Sequence, residues 1–375
     1  MFSERMNILN YDFSFYMPVN IIGGKDILQN NKGIFSQFGK KCLIVTGASS
    51  AKKSGALDDV IAIFDELDIE YTIFDKITEN PLTTTCYEGG KVAREMQADF
   101  VVGIGGGSPL DASKAVCVYA TNPQIIDDDI YTDKVVNEPL PLIVIGTTAG
   151  TGSEVSGVSV LTRKNGRKQS ISGKNYYAKY ALADAKYTYS VPYRTTVSTA
   201  LDALAHAIES MFSPRADFLT QQFALISIKM IYPILEKLNN KEMPTEEERN
   251  TLYFASLYAG FALNKGGTGF PHGMGYALTE DYGIPHGIAC AIFLPQYLNE
   301  AKKANSSLFN QVLNAMNTDE NSVERLIFDL CDLHLSIPNE KINEYVARWE
   351  NLKNFKNSPT DFNNIDAGSL MKKLF

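Results

Sequence analysis

Along the first half of the chain, short and almost wholly apolar runs alternate with longer stretches in which apolar residues recur every three or four positions. The runs are "KCLIVTG" at 41–47, "IEYTIFD" at 69–75, "ADFVVGIGGG" at 98–107 and the "LPLIVIG" that leads into "TTAGTGSE". Between them lie helical periods at about 54–66 and 83–97 and the helix "PLDASKAVCVYA". Runs without a polar face belong to strands covered on both sides, so this β-α-β-α rhythm predicts a parallel sheet with helices on both faces. Residues 11–24, "YDFSFYMPVNIIGG", alternate in a way that predicts two short strands around a Pro-containing turn. A small strand-rich excursion is expected at 158–190, and from about 195 the period becomes 3.6 almost throughout. The expected architecture is an α/β domain over 1–190 and an all-α domain over 191–375, divided near Asp184 to Tyr193.

At 375 residues the chain is long enough for two domains with proper cores. Lys+Arg 35 against Asp+Glu 43 gives −8, which argues against a general nucleic-acid binder. The absence of a long basic run leaves membrane-surface attachment unsupported, and no apolar run is expected to reach the ~18 residues of a bilayer span. "MFSERMNILNYDF" has no apolar segment of a secretory signal. Five cysteines, Cys42, Cys86, Cys117, Cys290 and Cys331, form no CxxC pair. Cys42 and Cys117 fall in buried-looking segments and read as core thiols of a reducing cytoplasm.

The chemistry concentrates between Asp202 and His286. Of four histidines, His206, His272 and His286 fall in this stretch, each among Gly, Ala, Ile or Leu. In "STALDALAHAIESMF", Asp202 and His206 stand four apart on one helical face, where carboxylate and imidazole reach one ion at about 2.0–2.2 Å. His272 and His286 would lie roughly 21 Å apart on one continuous helix, too far to share an ion. The break at Gly283-Ile284-Pro285 lets the chain return His286 towards His272. A lone His on an apolar helix is more often a hydrogen-bonded core residue than a ligand. Three together, with a carboxylate one turn before one of them, point instead to a single divalent metal held by Asp202, His206, His272 and His286.

A second site is expected at the carboxyl ends of the strands. "VVGIGGGSPLDASKA" sets Gly103, Gly105, Gly106, Gly107 and Ser108 between a strand and a helix opened by Pro109. Backbone N–H groups freed of Cβ atoms can approach a pyrophosphate there, and the helix N-terminus adds donors and a positive dipole end. The spacing is not G-x-G-x-x-G, and a bare glycine loop also serves as a tight turn. Thr147, Thr148, Thr151 and Ser153 cluster at the next strand end, with hydroxyls for ribose, phosphate or carboxamide. "TGASSAKK" ends the strand at 41–47 without the carboxylate that would bind a ribose 2′-hydroxyl and repel a 2′-phosphate. Gly47, Ser49 and Ser50, with Lys52 and Lys53 close by, therefore favour NADP(H) over NAD(H). Asn80 is a further cofactor-binding candidate.

Taken together, "YMPVNIIGGKDIL", "GGGSPLDASKA", "TTAGTGSEV", "STALDALAHAIES" and "PHGMGYALTEDYGIPHG" make the chain resemble the iron-containing (group III) alcohol dehydrogenases over nearly its whole length. The resemblance implies a dinucleotide-binding α/β domain, a helical metal domain and an active site in the cleft between them. It implies Asp202, His206, His272 and His286 as metal ligands, and Gly105, Gly106, Gly107 and Ser108, with Asp111, as the pyrophosphate loop. Thr147, Thr148 and Thr151 match the second nucleotide loop, and Lys168 matches a lysine that approaches the cofactor. A homodimer is the family expectation. Where many members carry a proton-relaying histidine four residues after the third ligand, this chain has Tyr276. A phenol of ordinary pKa near 10 is a poorer carrier at neutral pH, so water and the nicotinamide ribose are the expected substitutes.

The reaction so implied moves a hydride between NADP(H) and a short-chain alcohol, diol or aldehyde. Fe(II) is assigned from the resemblance; the donors alone also suit Zn(II) or Ni(II), and raw affinity favours zinc over iron. The rivals are a zinc glycerol-dehydrogenase-like polyol oxidoreductase using NAD, a dehydroquinate-synthase-like lyase and a non-enzymatic nucleotide-binding scaffold. The lyase would need cations for an anionic substrate, and 265–286 offers only Lys265; a scaffold would need no ligand set. Leu263, Phe270 and Tyr276 suggest an apolar pocket, the "KNSPTDF" loop at 356–362 is placed at its border, and His334 and Trp349 are assigned structural roles.

Overall fold

A computed structural model describes residues 11–375. The absence of a secretory signal was read largely from residues 1–10, which lie outside that range. In the first half, strands β1 (Asn20–Gly23), β2 (Lys41–Gly47), β3 (Glu70–Ile77), β4 (Phe100–Gly105), β5 (Leu142–Gly146) and β8 (Tyr180–Ala183) form one parallel sheet in the order β1-β8-β5-β4-β2-β3. Helices α1 (Ala56–Leu67), α2 (Thr83–Glu95) and α3 (Gly107–Thr121) connect them. The central strands have no polar face because each side is packed. Leu43, Val45, Val101 and Val144 meet α2 and α3 on one face, while Cys42, Ile44, Val102, Ile143 and Ile145 meet α1 on the other. All five cysteines are buried free thiols.

Two expectations are corrected. Residues 11–19 form no strand, and Asn20–Gly23 pairs in parallel with β8 rather than with a hairpin partner. Their aromatic side chains are drawn to other surfaces, Tyr11 to Phe218 and Phe15 to Phe223. The excursion after β5 is also smaller than predicted. Only β6 (Val158–Thr162) and β7 (Lys168–Ser172) form a separate antiparallel hairpin, and β8 belongs to the main sheet. Lys114 anchors that hairpin from inside α3, donating to Ser153 Oγ at 2.8 Å, the Ser156 carbonyl at 3.0 Å and the Val158 carbonyl at 2.6 Å.

From Tyr193 onward every element is helical. α4 (Tyr193–Met211) runs through the middle, buried over nearly its whole length, with α5 (Phe218–Asn239) and α6 (Glu246–Gly266) packed against it. α5 is long and apolar enough to cross a bilayer by length and composition, contrary to the expectation from the sequence. Here its apolar stripe of Ala224, Ile228, Ile231 and Leu235 lies in the helical core. α6 starts at a capping box in which Glu248 N–H donates to Thr245 Oγ1 at 3.3 Å and Thr245 N–H to Glu248 Oε2 at 2.7 Å. α7 (Phe270–Tyr282) ends at Gly283, whose φ of 65° is left-handed, and α8 (His286–Ala291) begins three residues later behind Pro285. That turn reverses the chain, as the Gly-Ile-Pro signal predicts.

Candidate metal and dinucleotide sites

The carboxyl ends of β2, β4 and β5 lie side by side, and β2 and β4 flank the point where the sheet order reverses. Gly105, at φ 155°, carries the chain past Pro109, whose ring a Cβ there would meet at 2.5 Å. Gly106 and Gly107 then open α3 facing the second loop. Added Cβ atoms would come within 2.9 Å of Thr148 Oγ1 and 2.4 Å of Thr151 Cγ2. Thr147 N–H ties the two loops together by donating to the Gly105 carbonyl at 2.8 Å, and its buried Oγ1 has no protein partner. Gly47 sits against this corner, with Ser49 and Ser50 exposed beside it and Lys52 and Lys53 exposed on the next turn. Ser108 Oγ accepts from Asn80 N–H at 3.3 Å, and Lys168 Nζ donates to Asn80 Oδ1 at 2.9 Å. Asp111 is differently engaged: its oxygens accept from Ser153 Oγ at 2.6 Å and Val160 N–H at 2.8 Å. Its carboxylate thus holds the β6–β7 hairpin and the second loop in place.

Across the cleft, α4, α7 and α8 bring the predicted ligands together. Asp202 Oδ1 lies 3.4 Å from His272 Nε2, 3.9 Å from His206 Nε2 and 4.0 Å from His286 Nε2. Donors each about 2.1 Å from one ion are themselves separated by roughly 3–4 Å, so these spacings fit one cation. His206 stacks on His272 at 4.5 Å and 21°, and His286 meets His272 edge-on at 5.4 Å and 76°. Two glycines allow this proximity. A Cβ on Gly287 would come within 1.8 Å of the Ser198 carbonyl, and one on Gly275 within 2.9 Å of the Ala289 carbonyl. α8 therefore lies backbone-to-backbone against both α4 and α7.

The electrostatics ask for a cation. Asp202 Oδ1 and His272 Nε2 are buried, face each other and lack hydrogen-bond geometry. Unmet polar atoms of this kind are costly unless something outside the chain satisfies them. Burial alone would raise the pKa of Asp202, but the three surrounding imidazoles hold it well below the usual carboxylate range. Burial lowers His206 and, with Lys168 nearby, lowers His286 well below an ordinary histidine, which keeps both rings as neutral donors. The residues present thus fit a divalent ion.

Glu209 and Cys290 were not singled out from the sequence. Glu209, one turn after His206 and fully buried, receives the His272 ring: Nδ1 and Glu209 Oε1 are 2.5 Å apart. Its Oε2 accepts from Gly269 N–H at 2.7 Å. With the proton on Nδ1, Nε2 presents its lone pair to the cluster, the usual carboxylate support for a metal-binding imidazole. Its sequence signal was a carboxylate inside an otherwise apolar helical face. Cys290, one turn after His286, lies among the donors and reads in sequence as one more small core residue.

Tyr276 stacks on His286 with centroids 5.5 Å apart and planes within 6°. Burial pushes its phenol above the ordinary range, so it forms a neutral wall of the cleft. Lys168 reaches over it, Nζ 5.2 Å from the ring centroid, and burial lowers the lysine pKa against the opposing pull of nearby Cys290, Asp202 and Glu280. The 356–362 loop lies against the start of α7, where Phe362 stacks on Phe270 at 3.8 Å and Ser358 Oγ accepts from Phe270 N–H at 3.0 Å. His334 is exposed beside Asp332, and Trp349 is buried.

Residues 18–185 match the model of iron-containing alcohol dehydrogenase, and residues 196–358 match that of the C-terminal part of the Fe-containing alcohol dehydrogenase family. The chain is 30% identical over 350 residues to the NADPH-dependent butanol dehydrogenase of Clostridium saccharobutylicum, covering 91% of this chain and 88% of that one. It is 32% identical to the 1,3-propanediol dehydrogenase of Klebsiella pneumoniae, covering 81% and 79%. The crystal structure of an iron-containing alcohol dehydrogenase from Thermotoga maritima superimposes with a TM-score of 0.90 at 32% identity, over 97% of this chain and 99% of that one.

Proposed function

The chain belongs to the iron-containing alcohol dehydrogenase family, and from that premise we propose that it transfers hydride between NADP(H) and a short-chain alcohol, diol or aldehyde at a divalent metal centre. The observation that carries this reading is the convergence of Asp202, His206, His272 and His286 from three helices onto one point. The family supplies iron as the ion, while the donor chemistry also admits zinc. When bound, the ion supplies Lewis-acid polarisation of a substrate oxygen and the dinucleotide supplies or accepts the hydride. Gly105, Gly106, Gly107 and Ser108 form the cradle for the pyrophosphate, and the Thr147–Thr151 loop closes over it. Gly47, Ser49, Ser50, Lys52 and Lys53 receive the 2′-phosphate. Lys168 and Asn80 line the path from that cradle to the metal. Tyr276 shapes the apolar wall and, holding its own proton at neutral pH, relays none, which leaves proton exchange to water and the ribose.

The test pairs metal analysis of anaerobically purified protein with NADPH and NADH turnover on a panel of small aldehydes and alcohols. His272→Ala and His286→Ala are expected each to abolish turnover and metal retention while leaving NADPH binding nearly unchanged. Wild-type activity and metal content in either variant would refute the site. A zinc-loaded protein that oxidises vicinal diols with NAD alone would favour the glycerol-dehydrogenase-like alternative.

A further inference from the structure

The cluster at the foot of the cleft holds one donor more than the ligand pattern supplies. The group of donor atoms lying within 4.8 Å of one another comprises Asp202, His272, His286 and Cys290. Cys290 follows His286 by one turn of α8, so both side chains project to the same side. Its Sγ lies 3.6 Å from His286 Nδ1 and 3.8 Å from Nε2. The residue is fully buried, and the missing side chain of Gly275 makes room for it, since a Cβ there would come within 2.8 Å of Sγ. The buried, unpartnered Asp202 Oδ1 and His272 Nε2 face the same point independently of the cysteine.

We propose that Cys290 is a fifth protein ligand of the metal centre, joining Asp202, His206, His272 and His286. The proposal rests on the reading above that this cluster holds a divalent ion. On binding, the S–H bond is replaced by a sulfur–metal bond, the electron pair staying on sulfur and the proton passing to water. A thiolate is softer than imidazole or carboxylate, and thiolate sites select zinc among the common divalent ions. The centre therefore holds zinc against iron more firmly than one carboxylate and three imidazoles would.

Cobalt titration of the metal-stripped full-length protein tests this. Co(II) should produce visible d–d bands together with a thiolate-to-cobalt charge-transfer band in the near ultraviolet. Cys290→Ser and Cys290→Ala should keep the visible bands and lose the charge-transfer band, while Cys331→Ser, at a buried thiol outside the donor group, keeps both. In chelator competition the Cys290 variants should lose at least about tenfold in zinc affinity, since disturbing even a supporting group of a metal site costs 10–100-fold. Their loss of iron affinity should be smaller. Visible bands without charge transfer in the wild type, or unchanged zinc affinity in Cys290→Ala, would overturn the thiolate ligand and leave the metal centre standing. No visible bands in the wild type would remove the centre itself, and the ligand with it. Should Cys290→Ala fail to fold, the wild-type spectrum and the near-isosteric serine variant still decide the matter.

Discussion

Glu209→Gln replaces a buried carboxylate by an amide of the same shape. The carboxylate accepts at both oxygens, from the His272 ring at 2.5 Å and from Gly269 N–H at 2.7 Å. The amide has one oxygen and one NH2. If its oxygen stays with Gly269, the NH2 faces His272 Nδ1 and makes that nitrogen an acceptor. The ring proton then moves to Nε2, 3.4 Å from Asp202 Oδ1, and the lone pair is lost where an ion needs it. If the amide flips, Gly269 N–H meets another donor in a site with no water access, at a cost of about 1–3 kcal/mol. Either way the metal site weakens by about 10–100-fold, equivalent to about 1.4–2.7 kcal/mol. Chelator competition with zinc or cobalt measures the affinity, and thermal unfolding of the metal-stripped protein serves as the folding control. A variant whose metal affinity stays within about twofold of wild type would refute the claim that Glu209 sets the His272 tautomer, whatever its melting temperature.

Burial pushes the Glu154 carboxyl up to about 7 from an ordinary 4.5. A folded pKa above the unfolded one means that Glu154's own contribution to stability is fully present below about 4.5 and is lost as pH rises through about 7, a change of roughly 3 kcal/mol. Glu154→Gln should remove that slope, so wild-type and variant denaturation midpoints across this range should differ in pH dependence; parallel profiles would show that Glu154 is not its source. Gly107→Ala places a Cβ 2.4 Å from Thr151 Cγ2 and should cost about 1–3 kcal/mol and raise the KM for cofactor. Adding Thr151→Ser should recover much of both, and no recovery would mean the contact is not the cause. Ser49→Asp puts a carboxylate beside the proposed 2′-phosphate position and should shift the kcat/KM ratio of NADPH to NADH at least about tenfold towards NADH. An unmoved ratio would place 2′-phosphate recognition elsewhere.

The sequence was legible where local pattern and burial agree. β2, β4 and β5 read as strands because both faces are covered, and the glycine run after β4 read as a close-approach turn because no side chain fits against Pro109, Thr148 and Thr151. Asp202 and His206 were legible through the helical repeat, and the return of His286 through Gly283 and Pro285. What stayed hidden depends on contacts between distant segments. Nothing local says that Glu209 will meet a ring 63 residues away, or that Cys290 will turn towards the histidines rather than into an ordinary core. Asp111, placed just inside the helix, was grouped with the cofactor-binding residues because its partners Ser153 and Val160 come from beyond β5 in the sequence. Residues 11–19 alternate like a strand, but Tyr11 and Phe15 make ring contacts with Phe218 and Phe223 of α5 instead of pairing at a sheet edge.

The contact of Gly287 with Ser198 and of Gly275 with Ala289 leaves no slack between the three ligand-bearing helices. Protein stripped of its ion cannot collapse inward, because those backbones already touch. The helix backbones that carry the donors are therefore set by packing alone, and reloading is expected to be quick and reversible without a refolding phase. Enlarging either glycine would splay the cradle and convert a rigid receptor into one that each ion must reassemble for itself.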